Sequence, residues 1–136
     1  MTVRLRVVLD RALDSHDREG ALAATDLVSS LIATAPRGCE VAGIAPRAPA
    51  SDPFDQRALS LRSIWRAPLS SRYLAATWRF GATLGASGGM IHSPTLMAPL
   101  VRHDRAHDHD QTVVTMWGLE AWTDPEQLAR AAAGCR

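Results

Sequence analysis

Apolar residues along this chain follow two periods. Val3 to Leu9 alternates loosely between aliphatic residues and arginine and stops at Asp10, which predicts a first strand. Ala21, Ala24, Val28, Leu31, Ile32 and Ala35 then recur at three- and four-residue spacing. That spacing makes one apolar stripe and predicts an amphipathic helix, with Asp26, Ser29 and Ser30 mostly off the stripe. Ser15 or Asp17 is placed to cap it, and Asp17 and Glu19 suit its positive amino end. Pro36 biases the residue before it out of helix, and Gly38 offers a left-handed stop. Val41 to Ala45 reads as a second strand. Strand, helix and strand with so short a return imply a right-handed parallel unit.

The second half is less regular. Arg47 to Gln56 is loop, carrying Pro49 and Pro53 among small polar residues. A short third strand is expected within Ala58 to Trp65. Pro68 suits a helical first turn, Leu69, Tyr73, Leu74, Thr77 and Trp78 give the helix an apolar face, and Gly81 can end it. The stretch Gly88 to Glu126 organises the rest. It holds two brief strands, Met90-Ile91 stopping at His92-Ser93-Pro94, and Thr112 to Met116 stopping at Trp117-Gly118. Thr123-Asp-Pro-Glu126 reads as a capping box opening a last helix, with Pro125 in its first turn. That helix runs through Leu128 and Ala131 and stops at Arg136 with no later element to pack on. The expectation is a truncated chain, a fragment or a disrupted reading frame. Alternating strands and helices predict one α/β domain over residues 1–136, a mostly parallel sheet covered by helices on both faces.

Composition narrows this picture without changing it. The apolar fraction of 46% and charged fraction of 21% are ordinary for a globular domain. A net charge of +1 gives no global field to attract nucleic acid or an anionic membrane. All fifteen basic residues are arginine, a bias better explained by codon usage than by phosphate recognition. Cys39 and Cys135 make no disulfide framework, and free thiols fit a reducing compartment. The amino terminus has arginines inside its apolar run and no cleavage site, so it is not a signal peptide. No apolar run approaches the roughly 20 residues that span a bilayer. These features place the protein in the cytoplasm and leave room for peripheral contact with a membrane.

The densest polar cluster runs from His103 to Asp110. On a helix, His103 and His107 would share a face and could hold zinc with Asp108 or Asp110. No apolar periodicity supports a helix there, so a solvated loop is the better reading, and no metal is expected. His92, at a strand end, is either a structural histidine or a hydrogen-bond partner for a hydroxylated ligand. Ser93-Pro94 lacks the G-x-S-x-G turn of a nucleophile elbow. Gly81, Gly85, Gly88 and Gly89 precede a strand, whereas a dinucleotide fingerprint follows one. Trp117 and Trp122 are core or rim aromatics, or flat faces for a sugar ring. Arg102 and Arg105 are weak candidates for phosphate contact.

Taken in order, RLRVVLD, ALAATDLVSSLIATAP, CEVAGIAP, G-x-I-H-S-P and Q-T-V-V-T-x-W-x-L-x-x-W-x-x-P-E resemble the amino-terminal domain of two-domain GT-B glycosyltransferases of the family 4 type, particularly actinobacterial mannosyltransferase-like members. The likeness is most specific at Ile91 to Pro94 and Thr112 to Glu126. It implies a Rossmann-like three-layer domain forming the acceptor-side half of a cleft. The donor-side domain, with its paired glutamates and its nucleotide-sugar donor substrate, would lie outside this chain. Implied acceptor-cleft residues are His92, Ser93, Trp117, Gly118 and Trp122. The acceptor would be a sugar or a lipid-linked or other small hydroxylated molecule. Gly118 stands where many relatives have a carboxylate, and the glycine-rich loop after the first strand is missing. The isolated chain is expected to be inactive, because one wall of the cleft is missing. The alternative is a non-catalytic Rossmann-like binding domain or a degenerate fragment. A flavodoxin-like or response-regulator-like domain is disfavoured, because Asp10 lacks an acidic pair and a strand-end lysine.

Overall fold

The structure, a computed structural model, describes residues 3–10, 18–47, 60–82, 84–86, 89–100, 111–117, 123, 124 and 126. Five strands, β1 (Val3–Val8), β2 (Cys39–Ala45), β3 (Ile64–Arg66), β4 (Met90–Ser93) and β5 (Thr112–Val114), form one sheet in the order β3-β2-β1-β4-β5. Every pairing is parallel. Helix α1 (Arg18–Thr34) links β1 to β2, and α2 (Ser71–Arg79) links β3 to β4. The fold is a Rossmann-like α/β domain of three layers.

Chain direction explains the layers. The step from β1 to β2 and the step from β3 back to β4 run in opposite directions across the sheet. Connections of one hand then put their helices on opposite faces. Two separate cores follow. Val7, Leu9, Val41 and Ala45 pack against Val28 of α1, with Leu31, Ile32 and Ala35 around them. Val8, Ile44 and Ile91 pack against Leu74 and Trp78 of α2. Alternate residues of β1 serve alternate cores, as a strand buried on both faces requires. The helical stripe read from the sequence is the α1 contact surface.

Several boundaries differ from the expected ones, two of them because of backbone bonds. β2 begins two residues early, at Cys39, because Val3 N–H reaches the Gly38 carbonyl (2.9 Å) and starts the β1 ladder there. β3 lies at the carboxyl end of the expected window and passes it by one residue. The second helix starts at Ser71 rather than around Pro68. Ala67 N–H donates to the Ala45 carbonyl and Arg47 N–H to the Leu69 carbonyl, both at 2.8 Å, which holds that segment extended along β2. Its end is as expected. Gly81 N–H bonds the Trp78 carbonyl and Ala82 N–H the Thr77 carbonyl, a Schellman turn that uses the positive φ of Gly81 (85°). β4 runs on through His92 and Ser93, whereas β5 stops at Val114 instead of Met116. The cap of the first helix and the last helix fall outside the described residues, except for exposed Thr123, Asp124 and Glu126.

Arg6 is the unexpected core residue. It lies in β1, only 8% exposed, and its Nη1 donates to the Gly85 carbonyl at 2.7 Å. The indole N–H of Trp78 donates to the neighbouring Leu84 carbonyl at 2.9 Å. Two buried donors thus fix the turn that leads from α2 into β4.

Candidate functional site

The strand order reverses between β1 and β4. The chain leaves β1 toward β2 and leaves β4 toward β5, so the connections beyond the carboxyl ends of these two neighbours set out in opposite directions across the sheet. Open α/β sheets bind ligands at this switch point. Asp10 stands just past the end of β1, and Ser93-Pro94-Thr95 closes β4. Thr95 Oγ1 donates to Asp10 Oδ2 at 2.8 Å across the reversal, joining residues 85 apart in sequence.

The exit of β4 is braced from within as well. Ser93 Oγ donates to the Met97 carbonyl (2.8 Å) and accepts from Thr95 N–H (3.3 Å). Met97 N–H in turn reaches Thr95 Oγ1 at 3.2 Å. These bonds form a local side-chain turn of the kind serine and threonine favour. Ser93 has no exposed surface, so its hydroxyl shapes the turn instead of facing the crevice.

β5 closes the other flank. His92 Nε2 and Thr115 Oγ1 are 2.7 Å apart, with donor and acceptor set by the tautomer. Trp117 Nε1 donates to the Pro94 carbonyl at 2.7 Å. That bond fixes the indole, yet Trp117 remains 51% exposed. The exits of β4 and β5, marked by His92 and Trp117, therefore lie side by side beyond adjacent parallel strands.

Burial lowers the His92 pKa from its ordinary 6.5, because desolvation disfavours the charged imidazolium. The folded state thus prefers neutral His92. Its contribution to stability is fully present above pH 6.5 and is lost as pH falls from there through the depressed folded value. Over that window the thermal stability of the wild type should fall more than that of His92→Gln. Identical pH profiles for the two proteins would show that His92 does not titrate in this way.

Of the residues predicted from sequence, His92, Ser93 and Trp117 come together here. Gly118, Trp122, Arg102, Arg105 and the histidine-aspartate cluster lie outside the described residues. Asp10, Thr95 and Thr115 were not singled out as site residues. Asp10 had one available signal, its place at the first strand end. Thr95 and Thr115 gained significance only when the strands were ordered. A separate concavity of about 490 Å³ lies near the amino ends of β2 and β3, with Cys39, Glu40 and Arg62 in its wall. Glu40 there is engaged at 3.8 Å by exposed Arg4, a partly solvated pair of little energetic weight. The switch-point crevice is the stronger candidate, because side chains from several elements converge on it. No protein-family model, curated protein or solved structure matches the chain.

Proposed function

We propose that this domain is the acceptor-binding half of a nucleotide-sugar-dependent glycosyltransferase, moving a hexose to a hydroxyl acceptor. The observation that supports it most is the Trp117 indole, half exposed and held by its own N–H beside the polar tip of β4. A fixed aromatic face suits the apolar side of a sugar ring. The neighbouring Asp10, Thr95 and His92 supply the acceptors and donors that ring hydroxyls need. In this reading the domain contributes orientation of the attacking hydroxyl. A second domain, outside these 136 residues, holds the donor and stabilises its leaving diphosphate.

The test is a titration of the chain, followed by the Trp117 indole resonance. A monosaccharide should shift that resonance, and nucleotide sugars should not. Trp117→Ala should weaken sugar binding roughly tenfold, about 1.4 kcal/mol. The chain alone should transfer no sugar. Saturable nucleotide-sugar binding that leaves the indole unmoved, or transfer by the isolated chain, would overturn the proposal.

A second reading, a non-catalytic binding domain, draws on one sequence fact. Arg11 to Glu19 has no glycine, so the usual phosphate loop after β1 is missing. A downstream coding sequence for a second Rossmann-like domain with paired glutamates would favour the enzyme. A stop codon at that point would favour the binding domain.

A further inference from the structure

The sheet is stepped at its amino end. β2 starts at Cys39, but its ladder to β3 starts only at Gly43, which pairs with Ile64. Cys39 to Ala42 therefore run with no β3 partner among the described residues. The concavity of about 490 Å³ opens in that step. Ile32 and Ala35, in and just past the last turn of α1, and Val41 of β2 give it apolar walls, and Cys39, Ser60 and Arg62 complete them. Its volume falls in the range of small-molecule sites, which pair apolar walls with a few polar groups.

Two donors belong to this space. Amides along a strand point alternately to its two neighbours. The Ile44 carbonyl accepts from Leu9 at the end of β1, whereas Gly43 N–H donates to the Ser63 carbonyl on the β3 side at 2.9 Å. Val41 lies two residues before Gly43, so its N–H also faces the β3 side, ahead of the ladder. Val41 is buried, and a backbone donor at such a residue calls for an acceptor. Arg62 supplies the second donor, a guanidinium. Glu40 also borders the space, but its carboxylate is engaged by Arg4. The carboxyl end of α1 carries partial negative charge. An anion therefore belongs on the Arg62 side, and apolar matter on the α1 side.

We propose that this concavity binds a small aliphatic carboxylate. The carboxylate pairs with the Arg62 guanidinium and accepts from Val41 N–H, both charge-assisted bonds. The branched tail lies on Ile32, Ala35 and Val41. The site is at the opposite end of the strands from the switch point, so it does not depend on the sugar-binding reading.

Titration of the full chain with 4-methylpentanoate, followed by the Val41 amide resonance, tests it. The acid should shift that resonance and slow alkylation of the Cys39 thiol, measured with Cys135→Ser so that one thiol reacts. 4-Methylpentan-1-ol has the same tail without the charge and should bind about tenfold more weakly. Arg62→Gln should weaken binding of the acid about tenfold and leave that of the alcohol unchanged. Arg72→Gln, which removes an exposed charge on α2, should alter neither. Circular dichroism of each variant should match the wild type. A Val41 amide that ignores the acid would sink the proposal. So would equal affinities for acid and alcohol, or an Arg62→Gln chain that binds the acid as the wild type does.

Discussion

Gly85→Ala is expected to destabilise the domain by about 2–4 kcal/mol, a large share of the roughly 5–15 kcal/mol that holds such a domain folded. Two effects combine. Gly85 has a φ of 72°, where a side chain costs roughly 1–2 kcal/mol. An added Cβ would also lie 2.2 Å from Trp65 Cζ3 and 2.5 Å from Cε3. Those are rigid ring atoms, so the conflict is relieved only by moving the whole indole or the turn. The turn resists, because the Gly85 carbonyl receives buried Arg6 and the Leu84 carbonyl receives Trp78. Urea denaturation of Gly85→Ala and of the Gly85→Ala, Trp65→Ala pair separates the two effects. The pair should recover the clash and retain the backbone cost. A single variant within about 0.5 kcal/mol of wild type would show that the turn is not held this way.

Trp78→Ala should cost about 3–5 kcal/mol and remove most of the α2 helical signal. The helix has nine residues, too few to be stable alone. Its buried anchors are Leu74 and Trp78, and Trp78 is the largest fully buried side chain described. Alanine leaves a cavity between α2 and the Val8, Ile44 and Ile91 surface and frees the Leu84 carbonyl. Trp78→Phe keeps most of the ring volume and loses only the N–H bond, so it should cost about 1–2 kcal/mol. Equal losses for the two variants would mean that the hydrogen bond, and not the packing, holds α2 in place.

Much of the architecture was readable in advance, and the reasons are local. The α1 stripe is legible because 3.6-residue periodicity shows which side of a helix seeks cover. β1 and β2 are legible because Val, Leu and Ile cluster between turn residues. Gly81 announced its own turn. The third strand was legible only within a wide window, since three residues of an edge strand carry little pattern. The start of α2 was misplaced for the opposite reason. Pro68 is acceptable in a helical first turn, but the sheet claimed that segment first, through bonds from Ala67 and to Leu69 that no local preference encodes.

The site divides along the same line. His92 and Trp117 were visible as polar and aromatic residues where apolar runs end. Their partners were not, because Thr115 and the Pro94 carbonyl meet them only when β4 and β5 lie parallel in one register. Asp10 and Thr95 stand 85 residues apart, and Arg6 and Gly85 stand 79 apart. By itself the sequence determined most of the described elements, the buried stripe of α1 and the parallel α/β class, which follow from side-chain periodicity within a few turns. It placed Tyr73 and Leu69 on the apolar face of the second helix, whereas Tyr73 is exposed and Leu69 precedes α2. Only the tertiary structure decided that β1 neighbours β4 and that a buried arginine clamps the turn ahead of β4. Those outcomes depend on strand order and register, which arise from packing between distant segments.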